Sequence, residues 1–377
     1  MKDTWKQVEA GTRVVVAMSG GVDSSVAAAL LAGRGCEVIG ITMKNFCYSE
    51  VPEEYASAAC CSLDAIEDAR TVAREIGFVH HVLDFEGPFR EAVMDPFVAE
   101  YAAGRTPNPC VRCNRFVRFP RLWQKARLLG AEAVATGHYA RAARDGQGRI
   151  ALLRPRDRGK DQTYNLWGLT GPLLERALFP LGGMTKGEVR EKAEEAGLPI
   201  AEKPESQDIC FVPDGDLAGF LGRRVAERSD GVAARRFEPG PIRTADGETV
   251  GEHPGSGFFT VGQRRGLGLE GRSVPHYVTA VGPDNTLVVG PEEELYREAL
   301  EVEEANWIGD APTEPFRAAA QIRSHAPAAP ATVAPREGRR ATVRFDEPRR
   351  AIAPGQSVVF YDGDRVAGGG TITRVLD

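Results

Sequence analysis

The sequence predicts an α/β protein in three parts: a parallel sheet covered by helices, a small central domain and a C-terminal β-barrel. Three observations carry that prediction. Strand-like and helix-like stretches alternate through the first half of the 377 residues, as in successive βαβ units. From about residue 218 the chain becomes charged and rich in Gly and Pro. Beyond about residue 285, short β-type runs follow one another closely, the pattern of a small barrel or sandwich. The expected domains are therefore 1–217, 218–284 and 285–377.

The elements follow in order. Residues 13–18 are a valine-rich apolar run, followed by a glycine turn and a helical stretch over 25–32. Residues 37–43 read as a second strand. Ser62 can cap a helix running to about Ile76, with Ile66, Ala69, Ala73 and Ile76 on one face and Gly77 closing it. Residues 78–85 are a third strand. A helical region broken around Pro96 comes next, then a helix over 120–129 and a short strand over 131–136. In the central part, Asp246-Gly247 signals a hairpin between 242–244 and 249–250. The C-terminal runs are 286–289, 318–323, 341–345, 357–361 and 371–375, with Asp362-Gly363 as another tight turn.

Composition narrows the functional class. No apolar signal-peptide core follows Met1, and the apolar run 26–32 is far too short to span a bilayer, so the expected location is cytoplasmic with no membrane partner. The net charge of −6 argues against a protein that simply coats nucleic acid. RNA contact would need local patches, and Arg112, Arg115, Arg118, Arg121, Lys125 and Arg127 form one in a stretch without acidic residues. A run of this kind also suits a plain solvated face.

The strongest motif is Ala17-Met18-Ser19-Gly20-Gly21-Val22-Asp23-Ser24-Ser25, placed between the first strand and the first helix. Glycines let backbone approach phosphate, serines add donors, and the helix start offers free N–H groups and its positive dipole end. Strand, loop and helix in this order separate it from an ordinary capped Gly-Ser turn. A Walker A loop is absent: Gly159-Lys160 is followed by Asp161. Gly266, Gly268 and Gly271 have dinucleotide-loop spacing, but Pro275 follows soon and no apolar helix begins there. The Ser-Gly-Gly loop resembles the PP-loop of ATP pyrophosphatases, which implies cleavage of ATP between its α and β phosphates.

Seven cysteines, Cys36, Cys47, Cys60, Cys61, Cys110, Cys113 and Cys210, argue against a disulfide framework because the number is odd and no leader is apparent. Cys110-Val111-Arg112-Cys113 follows Thr106-Pro107-Asn108-Pro109, and such a pair suits structural zinc, redox chemistry or an iron–sulfur site. Cys210, between Ile209 and Phe211, reads either as a partner to that pair or as a small buried hydrophobe. Cys60 and Cys61 read as packing residues at a helix start.

Taken with Thr42-Met43-Lys44-Asn45-Phe46, Gly137-His138-Tyr139, Lys160-Asp161-Gln162, Phe179-Pro180-Leu181-Gly182 and Val261-Gly262-Gln263-Arg264-Arg265-Gly266-Leu267-Gly268, these segments resemble the bacterial tRNA-specific 2-thiouridylases over nearly the whole chain. The resemblance implies ATP-dependent 2-thiolation of the wobble uridine of tRNAs of the Lys, Glu and Gln type. It implies that Ala17 to Ser24 hold the ATP phosphates while Met43 and Gly137 contact the nucleoside. Asn108, Pro109 and Cys110 would lie against the target base. His138, Lys160, Asp161, Gln162, Arg323, Ser324 and Gln356 would touch tRNA, and Cys113 and Cys210 would be the paired catalytic cysteines. Many family members carry aspartate at the position of Cys110. The resulting Cys-x-x-Cys, with Cys210, could hold three irons of a [4Fe–4S] cluster, with a Cys210 persulfide as the other sulfur route. Mg2+ is expected on the phosphates. The sulfur donor would be a cysteine desulfurase, a sulfur-relay protein or free sulfide. Rival readings are a PP-loop ligase acting on another acceptor and a metal-stabilised RNA-binding module without catalysis.

Overall fold

The computed structural model describes residues 1–46, 62–201, 203, 209–227, 235–269 and 275–377. Cys47, Cys60, Cys61, Gly271 and residues 204–208 lie outside the described residues. Five parallel strands form the N-terminal sheet in the order Val79–Asp84, Glu37–Lys44, Arg13–Ala17, Ala133–Ala135, Ala177–Leu178. Alternation along the central strand splits the core in two. Val14 and Val16 face a cluster with Val26, Leu31, Val72 and Val189, and Val15 faces one with Phe89, Phe97, Val117 and Leu221. Helices therefore cover both faces, as the alternating pattern predicts. The Leu63–Ile76 helix is capped as expected, with Ser62 Oγ accepting from the Ala65 N–H and Gly77 left-handed at φ 91°.

The helical region around Pro96 is distorted rather than interrupted. It runs through Glu86–Phe89, a π-turn over Arg90–Met94, and Asp95–Ala102. Pro96 has no N–H to return to the Ala92 carbonyl, and the Arg112 guanidinium donates to that carbonyl at 3.0 Å. The second helical run has the same form: Pro109–Arg112, a π-turn over Cys113–Arg118 just ahead of Pro120, then Phe119–Leu128. Arg112 thus ties the two distorted helices together beside the cysteines.

The predicted hairpin is present: Gly240–Thr244 pairs with Thr249–His253 across a turn with Gly247 at φ 92°. The strand Leu287–Gly290 joins this four-stranded central sheet, between Gly240–Thr244 and Tyr277–Val281, and not the C-terminal strands with which 286–289 was grouped. Helix Leu217–Ala226 was not anticipated in the charged stretch; Phe220 and Leu221 bury its apolar face in the first core.

Six C-terminal strands close into a barrel. Arg365–Leu376 pairs with Tyr296–Trp307, followed by Arg340–Arg350, Ala329–Arg336, Phe316–Gln321 and Ser357–Asp362, which returns to Arg365–Leu376. The barrel is docked on the N-terminal part by a shared core in which Phe119, Leu152 and Trp167 meet Val359, Tyr361 and Val366. The Tyr164 hydroxyl donates to the Ser357 carbonyl at 2.8 Å inside that seam. Among the described residues no helix is long and apolar enough to cross a membrane.

Candidate active site

The loop after the first strand folds back on itself. Ser24 Oγ accepts the Ser19 N–H at 3.1 Å and donates to the Gly21 carbonyl at 3.1 Å; Ser25 Oγ donates to the same carbonyl at 2.9 Å. Gly20 is left-handed at φ 68°, and a Cβ there would lie 2.1 Å from the Ala65 carbonyl oxygen, so only glycine fits. A Cβ on Gly137 would come within 2.7 Å of the Asp23 and Ser24 backbone, which brings the end of strand Ala133–Ala135 against the helix start. The Val22–Gly33 helix begins at Gly21 with no side-chain cap, leaving its N-terminal N–H groups for an anion. Ala17 ends its strand half-buried, Met18 is buried, and Met43 is buried in the core at the carboxyl end of its strand.

Two cations missed at the sequence level stand at this loop. The Lys186 ammonium donates to Asp23 Oδ1 at 2.8 Å, and the Tyr139 hydroxyl donates to the same oxygen at 2.9 Å. The Lys203 ammonium donates to the Gly20 carbonyl at 3.2 Å and pairs with Asp68. Neither lysine lies in a recognisable motif. The one sequence signal is that Lys203 stands seven residues before Cys210.

The cysteine loop is built from three parts of the chain. Asn108 Oδ1 accepts the Val111 N–H at 3.1 Å and caps the short helix Pro109–Arg112, so its side chain is engaged in the fold. The Thr106 N–H donates to the Pro354 carbonyl at 2.8 Å, and the Gln356 amide donates to the Thr106 carbonyl at 2.9 Å. Thr106 Oγ1 donates to Thr260 Oγ1 of the central part at 3.2 Å. Gly355, at φ 91°, has its Cβ position 2.8 Å from the Thr106 nitrogen, a close approach that a side chain would block. A cavity of about 230 Å3 opens beside this loop, bounded by Asn108, Val111, Arg112 and Trp167 on one side and Ser357 and Thr371 of the barrel on the other.

Cys113 is buried in the same apolar cluster against which Cys210 packs. Cys110 is exposed at the rim instead. Among the described residues no three His, Cys, Asp or Glu side chains are gathered to hold a metal ion, so the expected ligand set Cys110, Cys113 and Cys210 is not assembled. Cys113 is buried in the core, whereas Cys110 is an exposed residue whose thiol lies in a recess near Cys113. Loss of hydration in the recess, and next the neighbouring Cys113 charge, push the Cys110 thiol up to about 11, with Arg118 opposing. Burial likewise raises Cys113, again opposed by Arg118. Both thiols are therefore held protonated near neutral pH.

The positions expected to touch tRNA carry structural contacts in this state. His138 is pushed down to about 3, chiefly by burial and also by Arg118, so it is neutral. Because Arg118 can only donate to Nε2, at 3.4 Å, Nδ1 carries the proton toward Thr136 Oγ1 at 2.8 Å. Asp161 accepts from Arg154 at 3.0 Å and from Thr163 at 2.9 and 2.6 Å, and Gln162 accepts the Tyr139 N–H at 2.8 Å. Lys160 is half-buried at the end of the short helix Arg158–Lys160. Arg323 donates to the Ala351 carbonyl at 2.7 Å and the Val261 carbonyl at 3.4 Å, and the Ser324 carbonyl accepts from Gln321 at 2.9 Å.

The basic stretch divides in the same way. Arg112 is bound to Ala92, Arg115 pairs with Glu304 at 2.7 Å, and Arg118 holds Asn114 at 2.9 Å. Arg121, Lys125 and Arg127 remain exposed on the helix Phe119–Leu128.

Residues 12–214 match the family model described as the tRNA methyl transferase HUP domain, residues 233–291 the tRNA methyl transferase PRC-barrel domain, and residues 297–372 the aminomethyltransferase beta-barrel domain. The chain is 51% identical over 373 residues to the tRNA-specific 2-thiouridylase MnmA of Geobacter metallireducens, covering 98% of each. To the MnmA of Pelotomaculum thermopropionicum it is 49% identical over 370 residues, covering 97% of this chain and 98% of that one. A solved 4-thiouridine synthetase–RNA complex with bound ATP has 21% identity over 57% of this chain and 51% of its own, at a TM-score of 0.33.

Proposed function

The chain belongs to the tRNA-specific 2-thiouridylase family, and on that premise we propose that it is a cytoplasmic enzyme that exchanges the C2 oxygen of the tRNA wobble uridine for sulfur. A carbonyl oxygen leaves poorly. In the first step the C2 oxygen attacks the α-phosphorus of ATP, the bond to the bridging oxygen breaks, and its electron pair leaves with pyrophosphate. The helix N-terminus at Gly21 and the serines of the loop stabilise that charge. Bound Mg2+ would add charge neutralisation on the phosphates, and Asp23 is the loop carboxylate that would hold it.

In the second step a sulfur nucleophile attacks C2 and AMP departs with the oxygen. The observation that carries this reading is the packing of Cys113 and Cys210 in one apolar cluster. A persulfide on Cys210 would place its outer sulfur on C2. Cys113, protonated in the free protein, would give up its proton as it attacks the inner sulfur of Cys210, so that the electron pair of the S–S bond leaves with the uridine sulfur and a Cys113–Cys210 disulfide remains. A thiol reductant restores the pair. The target base must leave its stack to reach such a site, and the cavity beside Asn108 adjoins the cysteine loop. Substrates of the Lys, Glu and Gln type complete the proposal, with a cysteine desulfurase or relay protein passing persulfide sulfur to the reduced pair; sulfide would load Cys210 only by attacking the Cys113–Cys210 disulfide and releasing the Cys113 thiolate.

Anaerobic purification followed by iron, labile sulfide and zinc analysis tests the sulfur route. Thiolation by a metal-free preparation supports the persulfide pair. One [4Fe–4S] cluster per active chain, lost together with activity in Cys110→Ala, would replace it with a cluster on Cys110, Cys113 and Cys210.

A further inference from the structure

The cations at the phosphate loop have distinct attachments. Lys186 lies at the start of the Lys186–Glu195 helix, only 13% of its side chain is exposed, and its ammonium donates to the Asp23 carboxylate. Its ammonium is spent on orienting Asp23. Lys203 is held more loosely, with about one-third of its side chain exposed and Asp68 equally so. Its contact with the loop is to a carbonyl, that of Gly20, which is a weaker partner for an ammonium than a phosphate oxygen. The Gly20 carbonyl belongs to the same turn whose serines and N–H groups face the anion site. A polyanion entering that turn therefore meets an ammonium already within reach of it.

We propose that Lys203 binds the β- and γ-phosphates of ATP and neutralises the pyrophosphate as it leaves. This rests on the adenylation reading given above. On nucleotide binding the ammonium exchanges the Gly20 carbonyl for a phosphate oxygen while Asp68 keeps it oriented. The electron pair of the broken P–O bond goes to pyrophosphate, and Lys203 supplies charge and a hydrogen bond, not a proton.

The test compares ligands with and without the terminal phosphates. Titration of the full-length protein with ATP, pyrophosphate and AMP is repeated for Lys203→Met and Lys203→Arg. Lys203→Met should lose at least tenfold in affinity for ATP and pyrophosphate while AMP binding stays within twofold, and Lys203→Arg should recover most of the loss. A parallel loss for AMP would show that Lys203 only shapes the loop, and unchanged ATP affinity would show that it does not reach the phosphates; either overturns the proposal. Asp68→Asn, which retains Lys203, should weaken ATP binding less than Lys203→Met, and a larger loss would also count against it. Thiolation by the unaltered protein is measured in the same preparations. If that is absent, the adenylation reading fails independently of Lys203.

Discussion

The phosphate loop and the cysteine loop are built on opposite plans. The phosphate loop is local: Ser19, Gly21, Ser24 and Ser25 bond to one another within seven residues. The cysteine loop is assembled from afar, with Thr106 held by Pro354, Gln356 and Thr260, some 150 to 250 residues away in sequence. A local site is ready as soon as its strand and helix pack. An assembled site depends on how two further domains are seated. Activation by ATP should therefore survive changes that cripple sulfur transfer, while the converse should not hold.

The largest effect is expected at Gly20. Gly20→Ala puts a methyl into the Ala65 carbonyl at a left-handed position, costing on the order of 3 kcal/mol or more of local stability. ATP binding, pyrophosphate release and thiolation should all be lost together, as read by isothermal titration and product analysis. Cys113→Ala should instead separate the two sites. Thiolation falls by about a thousandfold or more while tRNA-dependent pyrophosphate release continues, because the adenylating loop does not use the thiol.

A chemical probe gives the next largest signal. Although Cys110 is exposed, its thiol pKa of about 11 means that little thiolate forms at pH 8. Its alkylation there should be slower than that of an ordinary cysteine by about a hundredfold, and should accelerate steadily as pH rises toward 11. Mass-spectrometric counting of labelled Cys110 checks this; fast labelling at pH 8 would mean that the recess is wetter than described.

The smallest effect is the one most specific to the assembled plan. Gln356→Ala removes the amide that holds the Thr106 carbonyl, a bond worth about 1 kcal/mol. Thiolation should fall roughly five- to tenfold with ATP affinity unchanged. A matching loss of ATP affinity would show that the two loops are not independent.

Legibility in the sequence follows the same division. The Ser-Gly-Gly loop, the Ser62 and Gly77 caps and the Asp246-Gly247 hairpin were readable because each is decided by a few adjacent residues. The long barrel strand Tyr296–Trp307 was hidden by its four glutamates, while Leu300 and Val302 supply its side of the barrel core. Ala329–Arg336 was hidden by Pro330 and Pro335, residues that ordinarily argue against a strand paired on both sides. The second roles of Arg323 and Gln356 were equally invisible, since no local pattern says that barrel side chains will reach the Val261 and Thr106 carbonyls of the other two parts. Lys203 escaped for the same reason: its meaning comes from Gly20, 183 residues earlier.

One measurement addresses the central claim directly. Unmodified tRNA, ATP, a persulfide source (a cysteine desulfurase with cysteine) and a thiol reductant are incubated with the protein, and 2-thiouridine, AMP and pyrophosphate are quantified together. Equal amounts of the three products, dependent on a wobble uridine, are what this account predicts. Formation of ADP and orthophosphate, or thiolation that proceeds without ATP, would contradict it.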